Sequence, residues 1–514
     1  MVASLLRILH SGVQNSRLLP PSGSPHIEMF LKVFLRCGRF TTQFSRIDFN
    51  TRPTLGAAAT LTLPRKAHMI SRLFLVTTMP DIKTPQVAAR AFCTSKSLGF
   101  VGPTIGWTNS LGHALITEAS IDIGGTRCER LDGRLLEVLD EFYTPLEKTS
   151  LTSKILKRVE NGFVPGCIGG PLDTGLAVET TTITPLPFWF SCGDAGAFLP
   201  IDAIQTDSVV LRVNFAPLAN LYVSTQGKRL SSPGASVAGD AYAPLLSAPF
   251  YYSNSAGSSV YGLSGTVSAI PGITIPSALP LGDTYVVAEY VYLEKPEAYR
   301  FRIADIHIAV PQHYPIDPVD TERLPRIQIP LKIPNPTRNL FFMAQRYEAA
   351  RYNAPFLATR DLSGVGTGVP WWPDAQGLTP YGIADLSPGF STRESEPFTS
   401  IRLVYEGKLV RYWTDSPSIF RSLIPSLEMK KSPWVNRYYY SLGFGFQHGL
   451  LPPSVPSGEA NLDKMTTIDL QLDLHPNKGT VNPNDVPRYF IYVWAETYNI
   501  LRIYGGRAGF LFGY

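Results

Sequence analysis

Tyr285-Val286-Val287-Ala288-Glu289-Tyr290-Val291-Tyr292-Leu293 is an apolar and aromatic run broken by one acid; the polar stretch Lys295–Arg302 follows it, and then Ile303-Ala304-Asp305-Ile306-His307-Ile308-Ala309-Val310. Both flanking runs are rich in β-branched and aromatic residues, so each reads as a strand, and the polar stretch between them reads as a linker. The same kind of punctuation extends in both directions. Upstream, Met29–Leu35, Ala58–Leu63, Ile70–Thr77, Leu115–Ile123, Pro187–Ser191 and Ser208–Phe215 are strand-like runs bounded by Pro or Gly. Leu115–Ile123 alternates as a half-buried strand should and ends at Gly124-Gly125, a natural turn. Downstream, the pattern restarts with Gln328–Ile333, Asn339–Ala344, Ser400–Tyr405, Tyr438–Phe446, Thr466–Leu474 and Tyr489–Ala495. Each half carries one long insertion rich in small residues and Pro, Ser224–Gly282 and Asn353–Pro397. Two successive sets of roughly eight strands fit two tandem β-sandwiches better than one.

Helix is expected in one region, Arg130–Val159. Leu131, Leu135, Leu139 and Phe142 recur at helical spacing, with the acids Asp140-Glu141 placed on the opposite, solvent-facing side. A second short helix is predicted over Ser150–Val159.

Composition points to assembly. Hydrophobic residues are 44% of the 514, whereas charged residues are only 17%, below the roughly 25% usual for soluble proteins. The 44 Pro mark many chain reversals. A large chain with so few charges hides much of its surface against neighbours. No apolar run approaches the roughly 18 residues of a membrane span. Cys37, Cys93, Cys128, Cys167 and Cys192 are odd in number and irregular in spacing, as expected of buried reduced thiols and not of a disulfide framework or zinc site.

The net charge of +5 sits at the front: Arg7, Arg17, Lys32, Arg36, Arg39 and Arg46 face Glu28 alone, and the remainder is neutral. Leu5, Leu6, Ile8 and Leu9 form a short apolar helical face within this leader. Three readings stand open for it: an arm that docks on an acidic or lipid surface, a solvated segment, or a transit peptide, since the first 27 residues hold no acid.

A search for catalytic groups returns mostly blanks. His307 and His313 are the closest His pair, and no HxH with a following Glu, the cupin metal motif, is present. Neither HExxH nor GxSxG occurs. Gly364–Gly368 is a glycine run without the strand and helix that a phosphate loop needs. Trp371-Trp372 and Tyr438-Tyr439-Tyr440 could stack sugars or bases, but such clusters are more often core or interface residues. Lys430-Lys431 is too short for a nucleic-acid patch. No catalytic, cofactor or metal residue is therefore assigned.

Several stretches resemble the major capsid proteins of nucleocytoplasmic large DNA viruses, of chlorovirus and iridovirus type. Pro25–Arg36 is similar to the family's "NPQITFFKxVYRR" opening, and Ala119–Arg127 to its "VELEIGGQxI" strand and turn. Leu186–Leu199 and Val209–Phe215 follow its "PLxFFF…LPLIAL…VKLxF" order. Tyr438–Leu442 with Pro456–Leu462 resembles "YxYSFxL…QPSGTCNFSRID", and Thr497–Ile503 with Gly506 and Gly509 resembles "NYNVLRIMSGMGGLxY". The "FSRID" element is missing after Asn461; an identical Phe44–Asp48 near the N-terminus is read as coincidence.

The resemblance implies an all-β chain of two tandem jelly rolls: an arm at 1–26, a first jelly roll at 27–295, a linker at 296–302 and a second jelly roll at 303–514. It further implies a non-enzymatic, cofactor-free virion protein, assembled in the host cytoplasm. Three copies would form a pseudo-hexagonal capsomer tiling an icosahedral shell. The arm would reach minor capsid proteins or the inner viral membrane, and no direct contact with nucleic acid is implied. A minor capsid, penton-like or scaffold paralogue of the same fold is the alternative. A jelly-roll carbohydrate-binding module is a further one.

Overall fold

The computed structural model describes residues 39–512, except 82–83, 102–104, 109, 150–154, 159–179, 225–250, 254–266, 274–279, 348, 350–354, 357, 359, 361–395, 434–436, 448, 452–456 and 477–483. The principal strands of the first half are β1 (Phe40–Asp48), β2 (Ala58–Thr62), β3 (Met69–Met79), β4 (Ile116–Ile123), β5 (Thr126–Leu131), β6 (Thr180–Leu186), β7 (Val209–Phe215) and β8 (Thr284–Leu293). Those of the second half are β9 (Ile306–Asp320), β10 (Arg326–Pro330), β11 (Thr337–Arg346), β12 (Phe398–Tyr405), β13 (Leu409–Thr414), β14 (Tyr439–Gly443), β15 (Ile468–Leu474) and β16 (Tyr489–Tyr504); β17 (Arg507–Phe510) folds back on β16.

The first half pairs in the orders β1-β8-β3-β6 and β2-β7-β4-β5, and the second in β9-β16-β11-β14 and β10-β15-β12-β13. All these pairings are antiparallel. Adding eight to each strand number turns the first pair of sheets into the second. Among the described residues, no strand of one half pairs with a strand of the other.

Alternation explains which faces meet. In β15 every second residue (Ile468, Leu470, Leu472, Leu474) is buried and the residues between are half-exposed, as for a sheet with one face on a core. By contrast, β11 is buried at all ten positions. Phe342 packs on Phe398 and Tyr440 inside its own sandwich, while Phe341 on the opposite face meets Phe142 and Tyr143 of the first half. A strand buried at every position, apolar through Leu340–Ala344, marks a sheet covered on both faces, with each fully buried large apolar side chain contributing roughly 1.5–3 kcal/mol. The predicted turn at Gly124-Gly125 is a two-residue hairpin between Ile123 and Thr126; both glycines take positive φ, which its twist demands.

Several expectations need correction. Pro187–Ser191 is not a strand: β6 ends at Leu186, Pro187 has no N–H for the ladder, and Trp189–Ser191 forms a 3-10 turn. The expected linker is a helix, Lys295–Ile303, with Pro296 in its first turn, where an N–H is not needed, and β9 starts only at Ile306. Helix also occurs beyond Arg130–Val159 at Thr84–Ser95 and along Ile419–Glu428. The stretch Ser224–Gly282 is not wholly loop, since Tyr251–Ser253 and Val267–Ala269 pair in a small sheet with Gly99–Val101. The sequence pattern marks none of β1, β5, β6 and β13; Leu131, expected on the helix with Leu135, Leu139 and Phe142, ends β5 instead, and Phe44–Asp48 serves within β1. The expected strand Met29–Leu35, the helical face at 5–9, and most of Ser150–Val159 and Asn353–Pro397 lie outside the described residues.

Candidate functional site: the seam between the two sandwiches

The most elaborate chemistry lies where the halves meet, around the helix Gly133–Tyr143. Asp132 caps it, its Oδ1 accepting from Arg134 N at 2.9 Å and Leu135 N at 2.8 Å. The other oxygen, Oδ2, accepts from Trp494 Nε1 of the second half at 2.9 Å, so the cap also anchors the seam. Gly133 is required because a Cβ there would run into the carbonyl oxygens of His113 and Ile116.

The helix buries its leucines as expected, but its acids are buried too, against the reading of Asp140-Glu141 as a solvated face. Glu137 is fully buried and Glu141 nearly so. Glu137 accepts from Ser110 Oγ at 3.1 Å and Arg158 at 2.7 Å, lies 2.6 Å from His113 Nδ1, and pairs with Arg437 of the second half. Glu141 meets Arg158 at 3.4 Å and Lys431 at 3.0 Å; Asp140 pairs with Arg158 at 2.5 Å and accepts from Thr144 Oγ1 at 2.7 Å. Burial pushes the Glu137 carboxyl up, but Arg158, Arg437 and His113 outweigh it and hold the group well below the usual carboxylate range. Three carboxylates thus face Arg158, Arg437 and Lys431, a balanced buried cluster. Wide apolar coverage of the helix (Leu135, Leu136, Val138, Leu139, Phe142) leaves only Arg134, Asp140 and Tyr143 partly open to solvent. That breadth was the sequence signal for buried acids.

A second set of contacts joins β5 to β9. Glu129 accepts the backbone N–H of Trp189 at 3.0 Å and lies 2.9 Å from His313 Nδ1. Burial lowers the affinity of His313 for its proton, but Glu129 raises it by more, so its pKa lies above the ordinary value. Gln312 donates to the Cys128 carbonyl at 2.7 Å, and Asn499 donates to Gln312 at 2.9 Å. Tyr143 donates to Glu496 at 3.1 Å. Backbone bonds add Lys431 N to Phe142 O at 3.2 Å and Thr206 N to Gly506 O at 2.8 Å. Trp189 packs edge-on against Phe510 at 5.6 Å. A cavity of about 510 Å³ opens within this seam, lined by Leu136, Leu139, Cys192, His313, Arg338 and Glu496 among others.

His307 is exposed on β9 and apart from His313. Tyr438, Tyr439 and Tyr440 are buried: Tyr439 OH accepts from Arg437 at 3.2 Å, and Tyr440 OH donates to Glu396. Lys430 is exposed and Lys431 is spent on Glu141, so the pair forms no surface patch. Among the described thiols Cys93 and Cys128 are buried as expected, whereas Cys192 is exposed. Cys37, Cys167, Gly364–Gly368 and Trp371-Trp372 lie outside the described residues. Among the described residues, no group of three or more His, Cys, Asp or Glu could hold a metal ion. Every carboxylate of the seam cluster is matched by a cation or donor, an arrangement suited to holding two sandwiches in one register.

The model described as major capsid protein N-terminus matches residues 28–254, and that of the large eukaryotic DNA virus major capsid protein matches 303–509. The chain is 28% identical over 233 residues to the major capsid protein of Pyramimonas orientalis virus, covering 45% of this chain and 51% of that protein. It is 23% identical over 227 residues to capsid protein 1 of Acanthamoeba polyphaga mimivirus, covering 44% and 36%. The matches thus span about half of the first of these relatives and about a third of the second. The major capsid protein of Wiseana iridescent virus is 23% identical over 490 residues, 92% of this chain and 87% of that one. In structure, the chain is similar to that of the PBCV-1 virus capsid (TM-score 0.63, 17% identity, 95% and 100% covered) and to the Faustovirus major capsid protein (0.59, 11%, 93% and 93%). These likenesses identify the two sandwiches as a double jelly roll.

Proposed function

From the premise that this chain belongs to the major capsid protein family of large eukaryotic DNA viruses, we propose that it is a structural shell subunit of a virion, self-associating as a homotrimer with a pseudo-hexagonal outline. The observation that carries this reading is the internal duplication: two sandwiches of one topology, locked by a buried, charge-balanced seam, give one chain two equivalent edges of a hexagonal tile. Such a rigid unit suits a lattice, which repeats the geometry of its tile many times. The seam's carboxylates Glu137, Asp140 and Glu141 are each tied to cations of the cluster, which suits a structural role. Tyr438–Tyr440 are enclosed and unavailable to stack a sugar.

The division into units rests on sheet pairing and the helix Lys295–Ile303: an arm at 1–26, a first jelly roll to 295, a short helical link, and a second jelly roll from 303. The arm, which holds Arg7 and Arg17 and no acid and leads into the basic stretch that ends at Ile47, is the part that reaches minor capsid proteins or the membrane-facing layer.

Light scattering of the purified full chain tests the main reading. A trimer at micromolar concentration is expected, and a stable monomer refutes it. Purified virions should show a dominant band at 56.6 kDa for a major protein, and a faint one for a minor paralogue. Deleting residues 1–24 should leave the trimer intact while weakening attachment to the inner layer at low salt; loss of folding, or a mature protein that lacks this peptide, counts against the docking arm.

A further inference from the structure

The internal duplication can be aligned residue by residue. Leu73 on β3 faces Leu186 of β6 and Ala288 of β8, and Ala288 faces Ser45 of β1. Asn339 on β11 faces Gly443 of β14 and Glu496 of β16, and Glu496 faces His313 of β9. Leu186 and Gly443 each end their strand, so the two rungs are equivalent. Ser45 then stands where His313 does, and Phe44 where Gln312 does. Counting three residues beyond each strand end, Phe446 stands where Trp189 does.

These equivalences have opposite burial. Gln312 and Trp189 are buried in the seam between the sandwiches, on the Cys128 carbonyl and on Phe510. Phe44 and Phe446 are 59% and 82% exposed, and Phe40 on the same strand is also mostly exposed. The helix of the seam lies between β5 and β6; its counterpart between β13 and β14 is the helical stretch Ile419–Glu428, where Leu423 and Leu427 are both more than half exposed. Phe446 and this helix belong to one patch, because Glu428 accepts from the backbone N–H groups of Gln447 and Gly449. Each half therefore repeats one side of the seam on an outer flank, with Phe44 where the inner seam has the polar Gln312 and Phe446 where it has the aromatic Trp189. Apolar groups suit a contact between copies, since separate chains would otherwise expose unpaired buried charges before they meet.

We propose that the flank carrying Phe446, Leu423 and Leu427 docks on the β1 edge, Phe40 and Phe44, of a second copy of this chain, repeating between copies the contact that the two sandwiches make within one. This rests on the trimer reading above and assigns its surfaces. The two faces differ, so the contact is heterologous and closes into a ring when its rotation repeats that between the halves.

The full chain with a benzophenone amino acid at position 446 tests it, with irradiation of the trimer and peptide mapping by mass spectrometry. An adduct on the Phe40–Asp48 segment of another copy is expected. Phe446→Asp and Phe44→Asp should each raise the trimer dissociation constant at least tenfold while circular dichroism and melting stay as in the parent; Leu427→Asp is a third variant should either misfold. A trimer of parental affinity in these variants, or an adduct elsewhere, overturns the assigned surfaces and leaves the trimer standing. A parent chain that stays monomeric overturns the trimer reading, and this assignment with it.

Discussion

Replacing Glu137 by glutamine keeps the size of a fully buried side chain and removes one charge from a cluster of three carboxylates and three firm cations. Asp140 and Glu141 then face Arg158, Arg437 and Lys431, leaving one cation in excess in a dry site. Arg437 suffers most, because its remaining carboxylate, Glu141, is 4.0 Å away. Half of the glutamine amide is also a donor, turned toward guanidinium donors. Breaking a buried ion pair in this way costs about 3–5 kcal/mol. Adding Arg437→Met restores the balance, with Arg158 and Lys431 against Asp140 and Glu141, so the double variant should recover roughly 0.5–3 kcal/mol of coupling. Urea titration followed by tryptophan fluorescence reports on it, because Trp494 and Trp189 are both buried at the seam. Since the cluster joins the halves, the single variant should also split unfolding into two transitions. A cost below about 1 kcal/mol, or a double variant whose loss is the sum of the single losses, refutes the view that this cluster fastens the two sandwiches.

Further outcomes follow from neighbouring groups. His313 has a folded pKa raised above its ordinary value, so its pair with Glu129 stabilises fully below about pH 6.5 and loses that contribution as pH rises through the folded value; melting temperatures should fall across that window in the parent and stay flatter in His313→Gln. Glu137, with a depressed pKa, stabilises above about pH 4.3 and loses its contribution as pH falls through the folded value, so the parent should lose stability in strong acid more steeply than Glu137→Gln. Desolvation pushes the thiols of both Cys128 and Cys192 up to about 12, so their reactivity differs by access alone: a thiol reagent at pH 8 should label the exposed Cys192 slowly in the native protein and reach the buried Cys128 only after unfolding, as mass spectrometry would record. Gly133→Ala sets a Cβ against two backbone carbonyls that cannot swing away and should cost about 1–3 kcal/mol or more in the same urea titration.

Strands that follow the ordinary grammar of alternation were legible in the sequence, and those that depend on partners were not. Leu115–Ile123 and Thr466–Leu474 alternate, and both are strands within a residue or two of the expected bounds. Strand β1 was missed because Phe40–Phe44 are exposed whatever face they occupy, so no alternation is imprinted on them. Pro187–Ser191 misled because its aromatics read as β-formers, while the missing N–H of Pro187 ends the ladder. The candidate site was the least legible part. Its acids lie on a helix whose apolar residues are plain, but their partners Arg437 and Lys431 lie about 300 residues away, and no local pattern links such positions.

That distance also bears on why the seam is polar. Two apolar sheet faces could slide past one another at little cost, since hydrophobic attraction has no direction. Glu137 is satisfied only when Arg158 and Arg437 both reach it, and Asp132 only when it caps its helix and also receives Trp494. Each requirement fixes one offset between the sandwiches, and together they exclude slipped registers that would strand a buried charge. For a tile whose two halves must present equivalent edges, a fixed offset matters more than the strength of the join. The desolvation cost of the buried charges is consistent with that need, because a purely apolar seam could match the strength without defining the register.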